Sequence, residues 1–145
     1  MRNKLLLTLA ASALAVGAIS TEGAFAAKSK SSEPLPFSSK EKANGAKYHP
    51  EILKEFGGAY QSPQTAYVER VGKKIALQSG LANSEGEFTV TFLNSAVNNA
   101  FAIEGGYVYI TRQLAALCNS EAEMAGVLGH EVGHTAARHS KKRQK

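Results

Sequence analysis

The sequence predicts an α+β fold, a small antiparallel sheet packed on a long helix near the C-terminal end. Three observations predict it. Residues 62–80 space Tyr67, Val71, Ile75 and Gln78 at a helical step, residues 87–111 switch to two-residue alternation, and residues 120–140 return to a helical pattern. The 145 residues, 43% hydrophobic and 20% charged, suffice for one domain with a modest core.

The chain opens with basic Arg2 and Lys4, an uncharged apolar run from Leu5 to Ser20, and the small-x-small triplet Ala24-Phe25-Ala26. This pattern predicts a signal peptide over residues 1–26, cut before Ala27, because the run is shorter than the ~20 residues of a spanning helix. The mature chain is therefore expected in a periplasm or outside the cell. Residues 27–47, rich in Ser, Lys, Pro and Gly, read as a flexible linker with little that could enter a core.

From residue 48 each element carries its own signal. Ser62 suits a helix cap, Pro63 a first turn and Gly80 a stop. In "EFTVTFLN", residues 87–94, Phe88, Val90 and Phe92 alternate with Thr89 and Thr91, as in a half-buried strand. "AFAI" and "GYVYIT" read as two further strands joined by a tight turn at Glu104-Gly105-Gly106. Arg112 to Cys118 reads as a short helix, and Ser120-Glu121-Ala122-Glu123 as the capping box of a longer one running to about Ser140. Cys118 is the single cysteine, which excludes an intramolecular disulfide and reads as a buried, inert thiol.

The last helix contains His130-Glu131-Val132-Gly133-His134, an HExxH motif. At about 100° per residue, His130 and His134 lie about 40° apart and one turn along the axis, so both imidazoles can aim at one ion. Glu131 falls about 100° round from His130, beside the pair, where it can hold a water. His139 lies about 180° from His130 on a regular helix and reads as structural, as does His49, which has no partner motif. Gly126, Gly129 and Gly133 each cost about 1 kcal/mol of helix propensity, which points to a close approach of neighbouring elements.

These residues, with "NNAFAIEGGYVYITRQLAALCNSEAEMAGVLGHEVGHTAARHS" around them and a weaker match in "EFGGAYQSPQTAYVERVGKKIA", resemble the gluzincin metallopeptidases of the family that includes HtpX, the CAAX prenyl protease, the Oma peptidase and periplasmic quality-control proteases. The resemblance runs from about Tyr48 to Lys141. It implies a zincin-like half-domain over residues 48–145, the N-terminal part of a metallopeptidase domain, and a zinc-dependent endopeptidase acting on protein or peptide substrates. It also implies Zn²⁺ held by His130 and His134, Glu131 as general base, and substrate contacts by strand addition at Asn99, Ala100, Phe101 and Ala102. The third ligand it implies, a glutamate on a downstream helix, has no counterpart, since no acidic residue follows Glu131. The chain thus reads as C-terminally truncated, with exposed apolar surface expected on the far side of its last helix.

A second reading is an inactive remnant that binds a metal or a protein. The formal charge of +5 becomes +4 on removal of Arg2, Lys4 and Glu22 with the signal, and much of it sits in Lys141-Lys142-Arg143-Gln144-Lys145. Such a run can contact a membrane surface peripherally; here it reads as a solvated tail complementing the helix dipole. Its terminal position in an exported chain argues against a nucleic-acid partner.

Overall fold

Phe37 is buried, and Ser38 beside it starts a helix. The computed structural model describes residues 36–143, with side chains described through Ala137. The predicted signal peptide and the first part of the predicted linker lie outside the described residues. From Ser38 onward the linker reading is corrected: α1 spans Ser39–Glu55. Its start is a capping box, the Glu41 N–H donating to Ser38 Oγ while Glu41 Oε2 accepts from the Ser38 N–H at 2.8 Å. The sequence hides α1 because the residues it turns inward include Gly45 and His49, and because Pro50 lies inside it. Gly45 is buried where a side chain could not be: a Cβ there would strike the Glu104 carbonyl and stand 2.6 Å from the Tyr107 ring.

Helix α2, Thr65–Leu77, begins later than Ser62. Ser62 and Thr65 instead close a turn, Thr65 Oγ1 accepting from the Ser62 N–H at 3.0 Å and donating to the Tyr60 carbonyl at 2.8 Å. Val68, Val71 and Ala76 are its buried stripe. The chain leaves α2 near Gly80, whose φ is +72°.

Strands β1 (Thr89–Leu93), β2 (Ala100–Ile103) and β3 (Tyr107–Thr111) form one sheet in the order β1-β3-β2. The expected hairpin is present, β2 antiparallel to β3 through a turn whose Gly105 and Gly106 take φ of +86° and +90°. The wholly antiparallel sheet is corrected, because β1 pairs with β3 in parallel. A parallel pair needs a crossover of about a dozen residues, and residues 94–106, β2 among them, supply it. The half-buried reading of β1 also changes: only Thr89 is exposed. Residues 58–60 cover its outer edge, the Tyr60 N–H donating to the Phe92 carbonyl at 2.6 Å and the Asn94 N–H to that of Gly58 at 2.9 Å.

Helix α3, Arg112–Leu117, is capped by Thr111, whose Oγ1 accepts from the Leu114 N–H at 3.3 Å. Helix α4 spans Glu121–Arg143. Ser120 Oγ accepts from the Glu123 N–H at 3.2 Å, but Glu123 reaches one residue further back than expected, accepting from the Asn119 N–H at 2.7 Å. Met124, Leu128 and Val132 are buried, joining the apolar cluster formed with Val90, Val108 and Ile110. On the opposite face of the sheet, α1 lays His49 against Tyr107 and Tyr109, and Phe56 just beyond the helix packs on Phe101. Cys118 is half-buried, its Sγ 3.5 Å from the Leu114 carbonyl, and burial pushes its thiol pKa up, as suits an inert thiol.

The large apolar exposure expected on α4 is not found: among the described residues Tyr48, Val97 and Leu117 are the exposed large hydrophobics, and none belongs to α4. Its open side carries small residues instead. A Cβ at Gly126 or Gly133 would meet nothing within 4 Å, and at Gly129 only the Ile75 side chain.

His49 is a structural histidine, as expected. Its Nδ1 lies 2.7 Å from the Tyr109 hydroxyl, which burial holds protonated as a donor, so Nδ1 accepts. Burial also lowers the His49 pKa. Folded His49 therefore takes a proton less readily than unfolded imidazole. Its contribution is complete above the ordinary value of about 6.5 and is lost as pH falls through that value toward the folded one. The unfolding free energy of wild type minus that of His49→Gln, which keeps an acceptor but does not titrate, is expected to fall between about pH 7.5 and pH 5.5 in urea titrations; a constant difference contradicts the assignment. The same titrations at neutral pH are expected to show Gly45→Ala destabilising by about 1–3 kcal/mol through overpacking. Gly126→Ala is expected to stabilise by up to about 1 kcal/mol through propensity alone.

Candidate metal centre

The burial of Met124, Leu128 and Val132 fixes how α4 is turned about its axis, and that rotation places the motif. His130 and His134 emerge one turn apart on an exposed face. Their Nε2 atoms are 2.8 Å apart, with ring centroids 4.3 Å apart and planes at 88°. That separation is within hydrogen-bonding distance, the donor being set by the tautomers. A helical wheel puts these two imidazoles on one face, one turn apart.

The donor chemistry of the pair fits zinc. Two nitrogens about 2.0–2.1 Å from one ion stand roughly 3.3 Å apart in tetrahedral geometry, so a modest opening of the pair admits it. The fit covers two protein ligands. Among the described residues no group of three or more His, Cys, Asp or Glu comes together. His49 lies across the sheet on α1, bonded to Tyr109. His139 falls on the helical backbone of α4, with its side chain outside the described residues.

Glu131 is partly buried beside the histidines. Among the described residues, no hydrogen bond or ion pair occupies its carboxylate. Its backbone carbonyl accepts from Thr135 Oγ1 at 3.3 Å, and the same hydroxyl lies 3.4 Å from the Ala102 carbonyl on β2. Thr135 thus ties the motif's helical turn to the sheet edge. Sequence reasoning passed over it, although its place one turn after Glu131 is the usual position for such a back-bond.

Strand β2 is the sheet edge beside α4. The expected substrate residues divide along it. Asn99 spends its main chain on Thr111, its carbonyl accepting from the Thr111 N–H at 3.0 Å and its N–H donating to Thr111 Oγ1 at 3.2 Å. Antiparallel alternation then turns the Phe101 main chain toward Tyr109 and the Ala100 and Ala102 main chains outward. The Phe101 side chain is on the far face of the sheet, stacked on Tyr109 at 4.7 Å. Ala100 and Ala102, partly buried on the α4 face, hold the edge positions.

Neither of two sizeable cavities contains the motif's polar groups. One, of about 380 Å³, lies between α2 and the start of α4 and is lined by Tyr60, Tyr67, Phe92, Arg112 and Met124. Another, of about 350 Å³, runs between Ile75 on α2 and Gly129, Val132 and Gly133 on α4. The motif's polar groups lie instead on the surface between α4 and the edge of β2.

The chain is 36% identical over 93 residues to the mitochondrial metalloendopeptidase OMA1 of Schizosaccharomyces pombe, a match covering 62% of this chain and 27% of that protein. It is 30% identical over 80 residues to the beta-barrel assembly-enhancing protease of Yersinia pestis, covering 55% of this chain and 16% of the relative. A 50-residue match to the OMA1 metalloendopeptidase of Arabidopsis thaliana reaches 42% identity over 34% of this chain and 10% of that one. The chain thus spans about a quarter or less of the length of these relatives. Residues 62–145, more than half of the sequence and the whole HExxH helix, match the profile of Peptidase family M48, and the chain belongs to that family.

Proposed function

We propose that this chain carries the zinc-binding and proton-transferring part of a metalloendopeptidase that hydrolyses peptide bonds in proteins. The observation that carries the reading is the convergence of His130 and His134 to 2.8 Å between Nε2 atoms, with Glu131 on the same turn and the β2 edge alongside. Membership of a peptidase family and resemblance to two kinds of protease support it.

His130 and His134 would hold Zn²⁺ through Nε2, both rings neutral with the proton on Nδ1. A zinc ion bound there supplies Lewis acidity and brings the pKa of water toward ~7. Glu131 takes the proton of the attacking water at its carboxylate and returns it to the leaving amine nitrogen. An extended peptide lies along β2, bonded to the outward main-chain groups of Ala100 and to the Ala102 N–H, the Ala102 carbonyl facing Thr135. About the helix axis Glu131 falls between the histidines and Thr135, so the proton carrier stands between metal ligands and substrate strand. The N-terminal signal pattern supports a periplasmic or secreted enzyme, and the resemblance supports a role in envelope protein quality control. The basic residues 141–145 suit a peripheral contact with an anionic membrane.

One observation favours metal binding without turnover: among the described residues the pair has no third ligand, and catalytic zinc usually has three. Metal analysis and casein cleavage by purified mature chain separate the readings. The endopeptidase reading expects close to one zinc per chain, lost in His130→Ala and His134→Ala but kept in His139→Ala. It also expects cleavage that falls by about 10²–10⁴-fold in Glu131→Gln with zinc retained. Zinc without cleavage establishes the second reading. Absence of zinc, with cleavage absent or indifferent to Glu131→Gln, overturns both.

A further inference from the structure

Strand β2 is four residues long and sits at the edge, with β3 as its one strand neighbour. On the α4 side it is held through small side chains, Ala100 and Ala102, and through the long contact from Thr135. These offer little area to fix an edge that must stay at a set height beside the motif. Its large ring points the other way. Phe101 lies between Phe56 at 5.2 Å and Tyr109 at 4.7 Å, and the row continues from Tyr109 to His49 at 5.7 Å and from His49 to Tyr107 at 5.0 Å.

The row has a built-in spacing. His49 and Phe56 are seven residues apart, two helical turns, so α1 and its C-cap present two rings about 10 Å apart to the same sheet face. Between them stand Tyr109 of the central strand and Phe101 of the edge strand. The 2.7 Å bond between His49 Nδ1 and the Tyr109 hydroxyl stops the tyrosine ring sliding, and Gly45 lets α1 close against Tyr107 and the Glu104 carbonyl. The hairpin turn is gripped by the same helix, with Asn44 Nδ2 donating to Glu104 Oε1 at 2.9 Å. Helix α1 therefore holds β2 at its turn and at its middle, from the face opposite α4.

We propose that Phe56, Phe101, Tyr109 and His49 are positioning residues for peptide binding, an aromatic row by which α1 sets the position of the β2 edge relative to the HExxH helix. The proposal rests on β2 being the substrate strand, as inferred above. Phe101 thus serves the substrate through its side chain's grip on α1, without touching the peptide.

Amide hydrogen exchange of the full chain tests the row without any need for turnover. In Phe56→Ala, exchange at Phe101 and Ile103 is expected to quicken by about three- to tenfold, the worth of one aromatic pair, with Leu128 and Val132 in α4 unchanged. Phe56→Tyr, which keeps the ring, is expected to restore wild-type exchange. Tyr109→Phe, which removes only the hydroxyl, should quicken the same amides to a smaller degree. Unchanged exchange in β2, or an equal rise in β2 and α4, overturns the proposal. Where the wild type cleaves a peptide, KM should rise in Phe56→Ala by a similar factor with kcat held. A fall in kcat at constant KM also overturns it. A wild-type chain that cleaves nothing counts against the endopeptidase reading, and the exchange result then decides the row by itself.

Discussion

Val108 and Ile110 of β3 face α2 and α4, while Tyr107 and Tyr109 face α1, and the strand lies between two others. A strand with both faces and both edges occupied must find its hydrogen bonds within the fold, as β3 does through its main chain, Tyr109 and Thr111. Its main chain bonds to β1 and β2, the Tyr109 hydroxyl to His49, and the Thr111 hydroxyl to the Asn99 carbonyl at 3.1 Å. Everything that matters for the site is hung from this strand. The hairpin turn places β2 at its side, and Thr111, its last residue, caps the helix that leads into α4.

Burial also decides where the histidines go. Met124, Leu128 and Val132, four residues apart in turn, are 4%, 0% and 3% exposed and draw one stripe of α4 onto the sheet. Each such side chain contributes about 1.5–3 kcal/mol on leaving water, far more than rotating the helix to shelter two imidazoles could recover. His130 and His134 lie about 200° and 240° round from Leu128 and are exposed as a consequence of packing elsewhere. The rotation that presents the donor pair is thus set by the apolar packing of α4 on the sheet.

Much of the site could be read from the sequence because it depends on local periodicity. The i, i+4 spacing of the histidines, the Ser120 cap, the Gly105-Gly106 turn and the exclusion of His49 need only a helix or a hairpin to be correct. What could not be read depends on contacts distant in sequence. The parallel pairing of β1 with β3 is settled by which strand inserts between which, and alternation in "EFTVTFLN" says nothing of a neighbour's direction. Helix α1 eluded its composition because Gly45 and His49 do the work of apolar contacts and Pro50 mimics a stop. That Phe101 turns its main chain to Tyr109 and its ring to the α1 side follows from the β2–β3 register and from which face α1 covers, neither of which local alternation reveals.

If the helix directs them, His130 and His134 act as a single donor pair. Nitrogen-15 spectra of the histidine side chains, recorded while zinc is added, test this directly. The Nε2 resonances of His130 and His134 are expected to move together and saturate at one zinc per chain, while those of His49 stay fixed by the Tyr109 bond. Movement of one member of the pair without the other, or a zinc-dependent shift of His49 in place of either, would contradict that pairing.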